Sequence, residues 1–161
     1  MKTLVISGSP HRNGLCVKLS KEIIRGVEEA GGEAELVILA DKNINPCLAC
    51  EKPPCWQKME CKIKDDALEL KRKLNDSDAL AFLTPVYFLS VNGLAKNFMD
   101  RMRYYGKNGK PALAIAVAGG TGKGMHTIPT GYLSMAHYAG FSPDKSSTSY
   151  TLQLRRSIRG G

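Results

Sequence analysis

The 161-residue sequence has no long hydrophobic run. Its longest apolar stretches, such as Ala79–Leu83, are far shorter than the roughly 20 residues that a membrane-spanning helix needs. Met1 runs almost directly into the apolar stretch Thr3–Ile6, so we expect no signal peptide. Hydrophobic residues make up 43% and charged residues 24% of the chain, which is ordinary for a globular protein. We therefore expect a cytoplasmic protein that forms one domain over residues 1–161.

Histidine and acidic residues are scarce. The three histidines do not fall into a Ser/His/Asp pattern, and no paired carboxylates are evident, which argues against hydrolase chemistry. Only 15 acidic residues oppose 23 basic ones, leaving a formal charge of +8. This excess favours anionic partners such as nucleotides or flavin phosphates, although a merely solubilising basic surface fits the same number. The densest basic cluster, Arg155–Arg159, is not interleaved with aromatic residues, so we expect neither nucleic acid nor a membrane as a partner.

Apolar runs alternate with amphipathic segments along the chain. The runs predict five strands, at 3–7, 34–39, 78–84, 111–118 and 146–154, and the segments predict four helices, at 17–30, 65–75, 94–104 and 125–139. Nearly continuous apolar runs are typical of parallel strands that are buried on both faces. The alternation therefore predicts an α/β domain with one parallel sheet between two helical layers.

Three unusual loops follow predicted strands, at Ser7–Cys16, Pro85–Gly93 and Gly119–Gly124. In parallel sheets, ligands bind at the carboxyl ends of the strands, so we expect the three loops to form one site. The first loop combines small residues with a helix start, an arrangement that places backbone N–H groups around an anion. An ordinary connecting loop has a similar composition. The loop matches neither GxGxxG nor GxxxxGK[ST], so the usual dinucleotide and P-loop signatures do not apply.

A cysteine-rich stretch without helical or strand periodicity occupies residues 44–64, called the cysteine segment below. Four of the chain's five cysteines lie in it. Disulfides are rare in a reducing compartment, which leaves an iron–sulfur cluster, zinc or a redox dithiol pair. The candidate metal ligands are Cys47, Cys50, Cys55 and Cys61.

Three motifs, Ser7–Gly14, Thr84–Phe88 and Ala118–Gly120, resemble those of the NADPH-dependent FMN reductase superfamily. The resemblance extends to about residue 142 and implies a flavodoxin-like three-layer sandwich with a five-stranded parallel sheet of order 2-1-3-4-5. It also implies FMN as cofactor, with its phosphate in the first loop and its ring against the second and third. The residues implied to bind FMN are Ser9, His11, Arg12, Asn13, Gly14, Leu15, Cys16, Pro85, Val86, Tyr87, Phe88, Gly119 and Gly120. Taken alone, Tyr87 and Phe88 are more typical of core packing.

The stretches Asn45–Cys50 and Cys61–Asp66 resemble the iron–sulfur flavoprotein branch of the superfamily. This resemblance implies a four-iron four-sulfur cluster on the four cysteines, although four residues, and not the usual two, separate Cys50 from Cys55. The first loop departs from the family pattern too, because Cys16 stands where a threonine usually binds the phosphate. A thiol is a weak donor, so we expect one phosphate contact to be weakened.

The resemblance implies an FMN-dependent oxidoreductase or electron-transfer flavoprotein. NAD(P)H or a protein donor would supply electrons, which pass through FMN to a quinone, a flavin, an oxygen species or an iron–sulfur cluster. It also implies a homo-dimer or homo-tetramer. The alternative is a non-catalytic FMN-binding module whose cysteines hold a structural metal or form a dithiol switch.

Overall fold

A parallel β-sheet forms the centre of the fold. The computed structural model describes residues 1–50, 60–102, 110–119 and 148–154. The predicted helix at 125–139 lies outside these residues, as do Cys55 and Gly120. The strands are β1 (Lys2–Ser7), β2 (Glu33–Ile38), β3 (Ala79–Tyr87), β4 (Ser90–Val91), β5 (Ala112–Gly119) and β6 (Thr148–Leu154).

The five long strands are parallel and stand in the order β2-β1-β3-β5-β6. Since β4 is only a two-residue strand antiparallel to β3, this order confirms the predicted 2-1-3-4-5 arrangement. The strand ends agree with the predicted ends to within two residues, except for β3. It continues to Tyr87 because Val86 and Tyr87 pair with Val91 and Ser90, so the prediction of a loop from Pro85 onwards was wrong for Pro85, Val86 and Tyr87.

Helices cover both faces of the sheet. They are α1 (Leu15–Glu29), α2 (Ala67–Asp76) and α3 (Gly93–Arg101), and a short 3-10 helix (Leu39–Asp41) follows β2. The α1 face holds a buried cluster of Val5, Cys16, Ala81 and Leu83. The opposite face holds a larger core in which the rings of Phe82 and Phe98 stack with their centroids 5.7 Å apart. Burial on both sides explains why β3 reads as a nearly continuous apolar run.

The end of α1 shows how the sequence sets an element boundary. Gly31 has a φ of 77°, and its N–H donates to the carbonyl of Glu28 at 2.9 Å. Glycine adopts this left-handed conformation without a steric penalty. The sequence pair Gly31-Gly32 predicts left-handed backbone at the end of the first helix, and of the two only Gly31 has a positive φ. Among the described residues, no helix is both long and apolar enough to cross a membrane.

Candidate functional site

The carboxyl ends of β1 and β3 are joined by a buried asparagine. The N–H of Gly8, just after β1, donates to the carbonyl of Leu83 at 2.7 Å. The side chain of Asn92 donates through Nδ2 to the carbonyl of Gly8 at 2.6 Å, and its Oδ1 accepts from the N–H of Ala95 at 2.9 Å. Asn92 is only 4% exposed. One side chain thus caps α3 and holds the loop that follows β1.

Glycine is required at position 8 by this close approach. A Cβ there would lie 3.1 Å from the Cβ of Ala95 and 3.3 Å from Oγ1 of Thr84. Such distances are tighter than ordinary van der Waals contact, so a larger residue would push the first loop away from β3 and α3. The first two predicted loops therefore meet at one edge of the sheet.

The first loop is ordered by its own short hydrogen bonds. Ser9 is buried, and its Oγ accepts from the N–H of His11 at 3.1 Å. The N–H of Gly14 donates to the carbonyl of His11 at 3.0 Å. These bonds close a turn whose outer residues, His11, Arg12 and Asn13, are exposed to solvent. Their side chains are accessible to a ligand at the loop.

The start of α1 has no side-chain cap. Its N-cap residue is Gly14, and its first turn contains no acidic residue. In the part of the chain that the structure describes, no side chain accepts from the amides of Leu15 or Val17, and the amide of Cys16 meets only its own thiol. Orphan amides and the positive end of the helix dipole make such a terminus a binding site for an anion.

Cys16 lies in this first turn but belongs to the core. It is 2% exposed and packs with Val5, Ala81 and Leu83. Burial raises the pKa of its thiol to about 11, although its own backbone N–H acts in the opposite direction. The thiol therefore stays neutral at physiological pH and adds no negative charge beside the amides of α1.

Arg12 is held on the side of β2. Its Nε forms an ion pair with Asp41, and its Nη2 donates to the carbonyl of Ala40 at 2.9 Å. Both side chains are largely exposed, at 61% and 45%, so the pair contributes little to stability. Its effect is to keep a positive charge next to the first loop.

The second loop forms a strained apolar tip. Phe88 and Leu89 connect β3 to β4 with φ values of 45° and 65°, the combination of a two-residue hairpin turn that glycine or asparagine usually occupies. Tyr87 is 44% and Phe88 100% exposed. Core packing of these two aromatic residues, the interpretation their sequence alone favoured, is therefore wrong. Strain and exposed apolar area are features that concentrate at ligand sites.

The third loop begins at Gly119, the last residue of β5. A Cβ at this position would have no neighbour within 4 Å, so no described atom requires glycine there. The roles predicted for Gly119 and Gly120 in approaching a ring stay predictions.

The described cysteines of the cysteine segment are free thiols. Cys47 is exposed, and Cys50 and Cys61 are partly buried. Within residues 1–50, 60–102, 110–119 and 148–154, no three potential ligands come together in a way that could hold a metal ion. The described residues therefore do not assemble the donor set of a cluster, and the cluster predicted on Cys47, Cys50, Cys55 and Cys61 stays a prediction.

A buried ion pair lies next to Cys61. The guanidinium of Arg101 binds both carboxylate oxygens of Asp65, at 2.8 and 3.0 Å, and their side chains are 2% and 0% exposed. Burial alone would raise the pKa of Asp65, but hydrogen bonds from Arg101, Asn45 and Ala67 lower it to about 2. Sequence reasoning missed Arg101, because a buried arginine near a helix end reads like a solvated charge.

Comparison with known proteins agrees with this geometry. A family model described as NADPH-dependent FMN reductase matches residues 1–139. An iron–sulfur flavoprotein of Archaeoglobus fulgidus is 39% identical over 127 residues, which are 76% of this chain and 57% of the relative. An iron–sulfur flavoprotein of Methanocaldococcus jannaschii is 39% identical over 103 residues, 64% of this chain and 52% of the relative. The chain thus spans between half and three fifths of these relatives.

A solved flavodoxin from the domain Archaea superposes with a TM-score of 0.60 at 14% identity, covering 99% of this chain and 87% of the flavodoxin. This similarity confirms the flavodoxin-like fold. The family match over residues 1–139 goes further than the fold. The chain belongs to the NADPH-dependent FMN reductase family.

Proposed function

We propose that the chain is an FMN-dependent oxidoreductase that takes electrons from NAD(P)H or a protein donor and delivers them to a quinone, a second flavin or an oxygen species. The observation that carries the proposal is the uncapped start of α1, which lies behind an ordered loop at the carboxyl edge of the sheet. FMN brings a phosphate to which such a terminus is complementary.

The residues of the first loop fit a phosphate. The amides of Leu15 and Val17 lack side-chain acceptors among the described residues, and Ser9 fixes the turn that precedes them. The exposed Arg12 and Asn13 flank this turn and can add donors from the solvent side. The neutral thiol of Cys16 causes no repulsion. We propose that residues Ser9–Cys16 hold the FMN phosphate.

The second and third loops fit a planar ring. The tip around Phe88 offers apolar area at the same edge of the sheet, and no described atom lies within 4 Å of a Cβ built at Gly119, at the end of β5. We propose that Pro85, Val86, Tyr87 and Phe88 contact the isoalloxazine ring, with Gly119 and Gly120 near it. Bound FMN supplies the hydride and single-electron chemistry, while the protein orients the ring and tunes its electronics.

The proposed reaction needs no acid, base or nucleophile from the protein. This fits the absence of a Ser/His/Asp arrangement in the sequence. Iron and sulfide analysis of anaerobically purified protein tests the predicted cluster separately. Sedimentation velocity tests the predicted dimer or tetramer.

Anaerobic reduction tests the proposed function. The full chain is loaded with FMN, NADPH or NADH is added, and the visible flavin absorbance is followed before and after addition of a quinone. We expect bleaching by one of the nucleotides and recovery with the quinone. A chain that takes up no FMN contradicts the proposal. A chain that binds FMN, but is reduced by neither nucleotide and by no protein donor, supports the non-catalytic binding module instead.

A further inference from the structure

The two ends of the cysteine segment are fastened to each other by backbone-to-carboxylate bonds. The N–H of Asn43 donates to Oδ2 of Asp66 at 2.7 Å, and the N–H of Asp66 donates to the carbonyl of Asn43 at 3.1 Å. Asn45 donates from its backbone N–H and its side chain to Oδ2 of Asp65, at 2.9 and 3.2 Å. We call Asn43, Asn45, Asp65 and Asp66 the segment base.

Helix α3 is hydrogen-bonded to the segment base from one side. Nδ2 of Asn97 donates to the carbonyl of Ile44 at 3.3 Å, and Nη1 of Arg101 donates to the carbonyl of Asn45 at 2.8 Å. Arg101 also forms the bidentate pair with Asp65. The guanidinium therefore binds a carbonyl from the start of the cysteine segment and a carboxylate that follows its end.

The same guanidinium reaches a cysteine. Nη2 of Arg101 donates to Sγ of Cys61 at 3.4 Å while it also bonds Oδ1 of Asp65. Hydrogen bonds to sulfur are among the features that set the behaviour of thiolate ligands and nucleophiles. A buried guanidinium that is fixed by its counter-ion holds such a donor in one place.

We propose that Arg101 is a positioning residue: with Asp65 as its buried counter-ion, it fixes the sulfur of Cys61 and joins both ends of the cysteine segment to α3 without a metal. This role is independent of FMN binding. Helix α3 has nine residues, about 13 Å at 1.5 Å per residue. Its other end is tied to Gly8 by Asn92, so the Cys61 sulfur keeps a defined place relative to the proposed flavin edge.

Alkylation of individual thiols tests the proposal in the full chain, freed of metal by a chelator under anaerobic conditions. A short pulse of iodoacetamide followed by peptide mass spectrometry gives the rates at Cys61, Cys47 and Cys16. Exposed Cys47 is the fast reference, and Cys16, buried in the core, reports global unfolding. We expect Cys61 to react more slowly than Cys47 in buffer and at a similar rate in concentrated urea.

Arg101→Lys keeps the positive charge, but one ammonium cannot bind Asp65 bidentately and donate to the sulfur in the same geometry. Because lysine keeps the cationic charge that favours the thiolate, we expect release of the sulfur from its fixed place to raise the Cys61-to-Cys47 rate ratio severalfold through greater access, while Cys16 stays unreactive. Asp65→Glu keeps both charges but displaces the carboxylate, and we expect the same direction. Lys96→Gln removes only an exposed pair with Asp100 on α3 and should leave the ratio unchanged.

Two results overturn the proposal. One is a Cys61-to-Cys47 ratio in the native wild-type chain equal to that in urea, which needs no variant. The other is an unchanged ratio in either variant at a temperature where Cys16 is still protected. A purely structural role for Arg101 predicts that Cys16 and Cys61 become reactive together, which separates general loosening from a specific loss of position.

Discussion

Helices α1 and α3 begin at the same edge of the sheet, but they differ in how their ends are bound by side chains. Helix α3 is tied to its surroundings at both ends, because Asn92 caps its first turn and binds Gly8, and the side chain of its last residue, Arg101, binds Asp65. Helix α1 begins at Gly14 with no side-chain cap and no acidic residue in its first turn. Because the N-cap of α1 is glycine, the difference costs α1 only about a few tenths of a kcal/mol of capping stability.

This difference separates a support from a binding element. The side chains at the two ends of α3 hold the first loop and the segment base in place. The uncapped start of α1 leaves backbone amides that can bind an anion from outside the protein. A chain built only for stability would cap both helices. Leaving one terminus open is a feature of anion sites.

Loss of the buried ion pair at the carboxyl end of α3 has the largest expected effect. Asp65→Asn leaves Arg101 buried without a counter-ion, which typically costs about 3–5 kcal/mol. The measurement is urea unfolding, with surface Asp76→Asn as the matched control.

The same variant changes the pH dependence of stability. The folded pKa of Asp65, about 2, lies below its ordinary value of 3.8, so the wild type gains stability above pH 4 and loses it as pH falls towards 2. The gain is about 2 kcal/mol. Asp65→Asn should remove this part of the acid slope, and an unchanged slope contradicts the assignment.

Loss of the asparagine cap at the amino end of α3 has the next largest expected effect. Asn92→Ala removes the cap of α3 and leaves the carbonyl of Gly8 without its buried donor, so we expect a loss of about 2–3 kcal/mol. Asn92→Asp keeps an acceptor for the Ala95 amide but puts a buried carboxylate against the Gly8 carbonyl, and should lose at least as much. Asn75→Ala, which removes only a side-chain bond to Asp76, serves as the control in the same urea titrations. Equal stability of Asn75→Ala and Asn92→Ala would refute the role of Asn92.

The third test disturbs the close approach of the first loop to α3. Gly8→Ala places a methyl 3.1 Å from the Cβ of Ala95, and we expect a loss of about 1–3 kcal/mol together with weaker FMN binding. Gly26→Ala within α1 meets nothing within 4 Å, and should stabilise the protein by about 0.5–1 kcal/mol. Thermal unfolding and FMN titration are measured on both variants. The same sign of stability change in both would show that the close approach at Gly8 has no effect.

An acidic residue in the first turn of α1 has a smaller expected effect: it should raise the stability of the protein and weaken FMN binding. Leu15→Glu puts an acidic residue in the first turn, and Leu15→Gln is the control for the lost apolar side chain. Relative to the glutamine variant, we expect the glutamate variant to be more stable by about 0.3–1 kcal/mol and to bind FMN about tenfold more weakly. If both variants bind FMN equally at low salt, the phosphate does not lie at this terminus.

Restoring a hydroxyl in the first turn has the smallest expected effect. Cys16→Thr supplies the donor that the sequence lacks, and Cys16→Val fills similar space without one. We expect FMN to bind about three- to tenfold more tightly to the threonine variant than to the valine variant, the contribution of one hydrogen bond. Equal dissociation constants would remove the missing-hydroxyl explanation of Cys16.

The sheet and the helices that the structure describes could be predicted from the sequence because their signals are local. Alternating apolar runs predicted the parallel sheet, the family resemblance implied its strand order, and Gly31-Gly32 marked the end of α1. The extension of β3 could not be predicted, since it depends on Val86 and Tyr87 pairing with a two-residue strand. Pro85 and the turn residues after it looked like a loop.

The tertiary connections of the site were also beyond local patterns. The bond from Asn92 to Gly8 spans 84 positions, and the pair of Asp65 and Arg101 spans 36. Each residue alone resembles an ordinary cap or surface charge. The exposure of Phe88 is similar, because aromatic residues beyond a strand usually pack into a core.

The affinity for FMN relative to riboflavin tests the central claim most directly, because the two ligands differ only in the phosphate. Both dissociation constants are measured by fluorescence titration of the full chain at low and high salt. If the open start of α1 binds the phosphate, FMN should bind on the order of 100-fold more tightly, the value of about two charge-assisted hydrogen bonds. Equal affinities, or a preference for FMN that is undiminished in Leu15→Glu, would contradict the claim.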